Sequence, residues 1–128
     1  MKVLVADDDS NAADALSTSL RLAGHQVETA YDGESALDKA EAFRPEAAIL
    51  DIRMHDTSGF EVARQMRLLH TLRPGCLIAM TGESAESELT AGREAEFDYF
   101  LIKPASPKQV VALLSQRSVL LQQSPEAY

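Results

Sequence analysis

Along the chain, short apolar runs alternate with longer stretches in which apolar residues recur at helical period. Residues 2–6 read KVLVA, a run that ends at Asp7. The following SNAADALSTSLRLAG (10–24) sets Ala13, Leu16, Leu20 and Ala23 on one stripe, with Asp9 or Ser10 as the cap of a helix and Gly24 as its stop. QVETA (26–30) predicts a second, weaker strand closed by the turn YDG. ESALDKAEAF (34–43) then predicts a helix with Ala36, Leu37, Ala40 and Phe43 facing inward, ended by Arg44–Pro45. AAILD (47–51) is a third strand. Beyond the loop IRMHDTSG, FEVARQMRLLHTL (60–72) carries Val62, Met66 and Leu69 on a stripe, and CLIAMT (76–81) is a fourth strand. SAESELTAGREAE (84–96) makes a poor helix, since Leu89 is its one large aliphatic residue and Gly92 interrupts it. YFLIK (99–103) is the fifth strand. Ser106 and Pro107, a cap and first-turn pair, open a last helix that runs to about Leu121.

Each connection between strands is too long for a hairpin. The runs KVLVA, AAIL and CLIAM are nearly continuously apolar, as strands covered on both faces should be. The pattern therefore predicts a doubly wound α/β fold, a five-stranded parallel sheet with five helices. The 128 residues, 45% hydrophobic and 25% charged, suffice for one domain with a sizeable core. We read that domain over 1–121, with QQSPEAY (122–128) as a polar tail or the start of a linker.

A formal net charge of -8 changes the picture by excluding attraction to bare nucleic acid through long-range electrostatics. The nearest approach to a basic stripe, Arg64, Arg67 and His70, is read as a solvated helix face. The single cysteine, Cys76, lies in an apolar run and suits a buried thiol in a reducing compartment. No apolar run approaches the ~20 residues of a membrane span and the N-terminus has no signal-peptide pattern, so the expected location is the cytoplasm.

Candidate chemistry collects at the strand ends. Strand one ends in Asp7, Asp8 and Asp9, strand three in Asp51, strand four in Thr81 and strand five in Lys103. In a parallel sheet these groups share one edge, where such folds bind ligands. Ionised carboxylates about 5 Å apart repel by about 3 kcal/mol per pair at an effective dielectric of about 20. A divalent cation between them removes that cost, and magnesium takes oxygen ligands. A remaining aspartate can act as a nucleophile and accept a phosphoryl group, with a lysine to balance charge on the transferred oxygens.

VADD, AILDIRM, AMTGE and YFLIKP, in that order, resemble the motifs of the receiver domains of two-component response regulators, over Lys2 to about Leu121. The resemblance implies a flavodoxin-like sheet of order 2-1-3-4-5 and gives each matched residue a role. Asp51 matches the phospho-accepting aspartate, and Asp7 and Asp8 the acidic pair that holds Mg2+, with Mn2+ as a substitute. Arg53 matches the position whose backbone carbonyl completes the metal site. Thr81 matches the switch hydroxyl, Lys103 the phosphate-contacting lysine and Phe100 the switch aromatic. Lys103–Pro104 matches a peptide bond that is cis in the family. The chain departs from the family pattern at His55, where proline is usual, at Ser58 in place of aspartate, and at Glu96 in place of glycine.

The implied function is a phosphorylation-dependent signalling domain, a regulatory phosphoacceptor and not an enzyme. Its expected partners are a sensor histidine kinase or phosphotransfer protein and a downstream effector, with no direct contact to nucleic acid or membrane. Phosphorylation would switch the surface of the fourth helix, fifth strand and last helix. Val111, Val119 and Leu120 widen the last helix's apolar stripe and suit either homodimerisation there or deeper packing. Arg53 and Glu83, each two residues beyond a matched group, are expected to pair across the mouth and slow hydrolysis; the competing reading is a screened surface pair. Two further functions stand against this one. A receiver-like interaction module that is never phosphorylated would typically lack the acceptor, acids or lysine, all present here. A phosphatase of the haloacid-dehalogenase type needs a second acid two residues after the nucleophile, where this chain has Arg53.

Overall fold

The computed structural model describes residues 1–69, 75–82 and 97–123, with side chains of the last helix described as far as Gln116. Five strands, β1 (Lys2–Ala6), β2 (Gln26–Ala30), β3 (Ala47–Asp51), β4 (Cys76–Thr81) and β5 (Tyr99–Ile102), form one sheet in the order β2-β1-β3-β4-β5, with every pairing parallel. Helices α1 (Ser10–Leu22), α2 (Gly33–Phe43), α3 (Gly59–Leu68) and α4 (Pro107–Gln123) complete the described elements. The helix expected over 84–96 lies outside the described residues.

Side-chain alternation along the strands divides the core in two. Leu4, Ala6, Ala48, Leu50, Leu77 and Ala79 meet Ala36 and Ala40 of α2 and Val62 and Met66 of α3. Val3, Val5, Ile49, Ile78 and Met80 point the other way, onto Leu16 and Leu20 of α1 and Val110 and Leu114 of α4. Both faces of the central strands are thus apolar, which is why their sequences read as continuous hydrophobic runs. The free thiol of Cys76 lies wholly buried in the second layer.

Local signals set the helix ends. Asp9 caps α1 by accepting from the Ala12 amide, and Asp32 and Ser58 do the same for α2 and α3. Gly24 takes φ 98 just past α1, and α2 ends at Arg44 in the left-handed region, φ 55, directly before Pro45. Two expected core residues are displaced by earlier helix ends. Ala23 is the exposed cap of α1, and Leu69, 53% exposed, is the cap of α3, because each lies where the helix stops packing on the sheet. Arg67 departs from a solvated face, since it reaches Asp98 at 3.3 Å, and Asp98 also accepts from the Leu77 amide at 2.8 Å. Arg64 pairs with Glu61 on the exposed side, as expected of that face.

The loop between β3 and α3 is fastened at both ends. Met54 is buried in the α2–α3 layer, and Asp56 accepts from the first amides of α2, Gly33 at 2.9 Å and Glu34 at 3.0 Å. That close approach requires glycine at 33, where a Cβ would lie 2.1 Å from Thr57 Cγ2. Gly59 is required for a harder reason, because a Cβ there would lie 2.4 Å from the Asp51 carbonyl oxygen. Gly33→Ala is expected to lower unfolding stability in urea by about 1–3 kcal/mol through overpacking. Thr57→Ser, which removes the obstructing methyl, should recover most of that loss in the double variant. An equal loss with and without Thr57→Ser would disprove the contact's role.

Candidate functional site

The register of the sheet brings the strand-end groups together. Val5 pairs with Ile49 and Ala6 with Leu50, so Asp7 and Asp51 emerge side by side from β1 and β3. Both continue the alternation that points toward α1 and α4, as does Lys103, two residues beyond Leu101. Asp7 is 1% exposed and Asp51 5%. Lys103 Nζ donates to Asp51 Oδ2 at 2.8 Å and to Asp7 Oδ2 at 3.3 Å. The second oxygen of each acid is held by backbone: Asp7 Oδ1 accepts from the Asp9 amide at 2.9 Å, and Asp51 Oδ1 from the Arg53 amide at 3.1 Å. The Lys103–Pro104 peptide is cis, and the Lys103 amide donates to the Thr81 carbonyl at 2.7 Å.

Asp8 is more exposed and joins the other two acids, with one oxygen from each of Asp7, Asp8 and Asp51 within 4.8 Å of one another. Three carboxylates against the one ammonium of Lys103 leave two formal negative charges, which a dication would neutralise. An all-oxygen donor set with room for water suits a hard ion such as magnesium. Of the residues assigned to the metal, Asp7, Asp8 and Asp51 therefore fit by both chemistry and proximity. A cleft of about 500 Å³ opens beside them between α1 and the β5–α4 connection, lined in part by Asp7, Ala12, Ala15, Lys103 and Pro107.

Thr81 and Phe100 belong to the opposite parity. Ala79 pairs with Phe100 and Thr81 with Ile102, so the buried hydroxyl of Thr81 and the half-buried ring of Phe100 lie on one face of the sheet, over the α2–α3 layer. Beneath them sits a residue that periodicity alone does not reveal. Phe97, nearly buried, stacks edge-on against Phe60 of α3 (centroids 6.2 Å apart, 72°) and tilted against Phe100 (5.8 Å, 58°). Arg53 is exposed beside Asp51, while its expected partner Glu83 lies outside the described residues, as do Glu96 and His70. His55 stands at the rim, its Nδ1 3.8 Å from Asp8 Oδ2.

Burial acts unequally on these charges. It raises the Asp7 carboxyl above its ordinary 3.8; the Asp9 amide opposes the rise, and neighbouring Asp51 reinforces it. For Lys103 burial pulls the other way, but the hydrogen bonds and charges of Asp51 and Asp7 outweigh it and hold the ammonium above 10.5. A carboxyl whose folded pKa is raised supports the fold fully below its unfolded value and loses that support as pH rises through the folded one. Without divalent ions, Asp7→Asn is therefore expected to melt above the unmodified protein at pH 7.5. The difference should disappear below about pH 3.8. A variant that melts lower at neutral pH would show that the Lys103 contact outweighs the strain of burial.

The likeness to known proteins matches this geometry. Residues 3–115 match the response regulator receiver domain family. Response regulator MprA of Mycobacterium avium is 36% identical over 126 residues, which are 98% of this chain and 54% of that protein. The chain thus spans about half the length of the curated relatives it matches. Among solved structures, Vibrio cholerae chemotaxis protein CheY4 superposes with a TM-score of 0.84 at 30% identity, over 90% of this chain and 96% of that one. The BeF3-activated DrrB receiver domain gives 0.78 at 31%, over 90% and 94%. With the sheet order, the acid cluster and its lysine at the carboxyl edge in place, this chain belongs to the response regulator receiver domain family, whose members are regulatory phosphoacceptors rather than enzymes.

Proposed function

We propose that Asp51 is the phosphoacceptor and that its modification resets the surface around β5. The observation that carries this reading is the placement of Asp51, buried at the edge of the sheet and bonded at 2.8 Å to Lys103 among acids that need a cation. Family membership implies a histidine kinase as partner. The finer reading is that its phosphohistidine, or a small phosphodonor, presents phosphorus to Asp51 in the cytoplasm. A carboxylate oxygen of Asp51 forms the new P–O bond as the P–N bond to the donor imidazole breaks. The electron pair of that bond stays on the ring nitrogen, which takes up a proton.

Asp7, Asp8, Asp51 and the Arg53 carbonyl would hold the magnesium ion, which supplies charge neutralisation on the phosphoryl oxygens when bound. Lys103 is already bonded to the acceptor and would transfer its contact to a phosphoryl oxygen, so positioning does most of the work. Thr81 would turn its hydroxyl toward a second oxygen. Because Thr81 and Phe100 share a face and Phe100 pairs with the small Ala79, movement at Thr81 frees room for the ring to turn inward. The output surface is then that of the 84–96 segment, β5 and α4, where Ile102 is already exposed. A downstream effector, or a second copy of the chain, would read that surface.

Intact mass after incubation with acetyl phosphate and magnesium tests the reading. A gain of one phosphoryl group is expected, absent when magnesium is chelated and absent in Asp51→Asn. Lys103→Ala should slow the gain by at least about tenfold. No gain in the unmodified protein, or a gain that survives in Asp51→Asn, would overturn the assignment.

A further inference from the structure

We propose that Asp56 is a positioning residue for the metal centre, tying the loop after β3 to α2 so that the Arg53 carbonyl stays in place for the dication. The inference rests on the reading of Asp7, Asp8, Asp51 and the Arg53 carbonyl as that centre. It gives a task to a carboxylate that stands outside the cluster of acids.

The loop is closed at its base. Arg53 and Ser58 form an antiparallel bridge, the Gly59 amide donates to the Ile52 carbonyl at 2.9 Å, and the Arg53 amide donates to Asp51 Oδ1 at 3.1 Å. Residues 54–57 make the turn between the bridge partners. Met54 anchors one side of that turn in the core, whereas His55 and Asp56 are exposed. Histidine, unlike proline, leaves φ free, so contacts must restrain the outer side of the turn. They run to the start of α2. Asp56 Oδ1 accepts from the Gly33 amide at 2.9 Å and Oδ2 from the Glu34 amide at 3.0 Å, while Thr57 Cγ2 packs where a Cβ of residue 33 would lie.

Both oxygens of Asp56 are engaged, and the two amides hold its carboxyl below the ordinary 3.8, so the clasp is ionised at neutral pH. The next amide, Ser35, is taken at 2.7 Å by Asp32, the helix's own cap. Two acids thus divide the first turn of α2, one from its entry and one from the loop that carries Arg53. Loss of either leaves amides of α2 uncapped, but loss of Asp56 also releases the turn beside Arg53. A released turn spends part of its time with the Arg53 carbonyl out of place. The ion then binds the competent fraction alone, and its apparent dissociation constant rises by the inverse of that fraction. Saturating ion restores the competent form.

The test is calorimetric titration of Mg2+ into the unmodified protein, Asp56→Ala, Asp56→Asn and Asp32→Ala at pH 7.5. Asp56→Ala is expected to weaken magnesium binding about fivefold. Asp56→Asn keeps one acceptor oxygen, serves if the alanine variant does not fold, and should weaken binding about twofold. Asp32→Ala removes a cap from the same helix and should leave the affinity unchanged. In phosphoryl uptake from acetyl phosphate, Asp56→Ala should need about fivefold more magnesium for half its maximal rate yet reach the same maximum. Without magnesium, hydrogen exchange at the Arg53 amide should quicken in Asp56→Ala and not in Asp32→Ala. Magnesium affinity unchanged by both Asp56 substitutions, or weakened equally by Asp32→Ala, would overturn the inference while leaving the metal centre standing. Failure of the unmodified protein to bind magnesium at all would overturn the metal centre itself, and this inference with it.

Discussion

The ammonium of Lys103 lies between two buried carboxylates, and much of the molecule serves to keep it there. Asp7 and Asp51 are nearly inaccessible to water, and burying a charged side chain is costly unless an opposite charge meets it, as Lys103 meets both. The parallel sheet supplies the alignment, since each of the three side chains continues the alternation of its own strand toward α1 and α4. One cation still leaves the three acids in excess, and Asp8 carries the surplus at the open side. Incomplete neutralisation of this kind favours a dication at the acids.

The same alternation sorts the strand-end groups onto two faces of the sheet. One face of the strand ends carries Asp7, Asp51 and Lys103; the other carries Thr81 and Phe100 over the α2–α3 layer. Thr81 is thus at the boundary, attached through backbone to Lys103 and through its side-chain parity to the aromatic stack of Phe60, Phe97 and Phe100. That stack runs back to the first turn of α3, next to the glycine that packs on the Asp51 carbonyl. Packed groups thus lie on both sides of the strand end between Asp51 and β5.

Much of this was legible in the chain before any coordinates. β1, β3 and β4 announce themselves as apolar runs because they are covered on both faces, and the length of the connections marks them as parallel; their order came from the family resemblance alone. Asp7, Asp8, Asp51, Thr81 and Lys103 could be placed on one edge for a simple reason: parallel strands all end on the same side. Features that join residues distant in sequence were hidden. Nothing near Asp56 signals that it reaches the start of α2, 23 residues earlier, and nothing near Asp98 signals its bonds to Arg67 and the Leu77 amide. Phe97 precedes its strand, outside any periodic stripe, so only its ring contacts reveal it as core. Ala23 and Leu69 failed in the opposite direction, since helical period continues past the point where a helix leaves the sheet.

The solitary thiol of Cys76 has a use that its inertness makes possible. It begins β4, pairs with Ala47 and has no accessible surface, so an alkylating reagent reaches it only when the start of β4 opens. Its modification rate therefore reports opening at the start of β4, and needs no added label to compare the resting domain with its phosphorylated form.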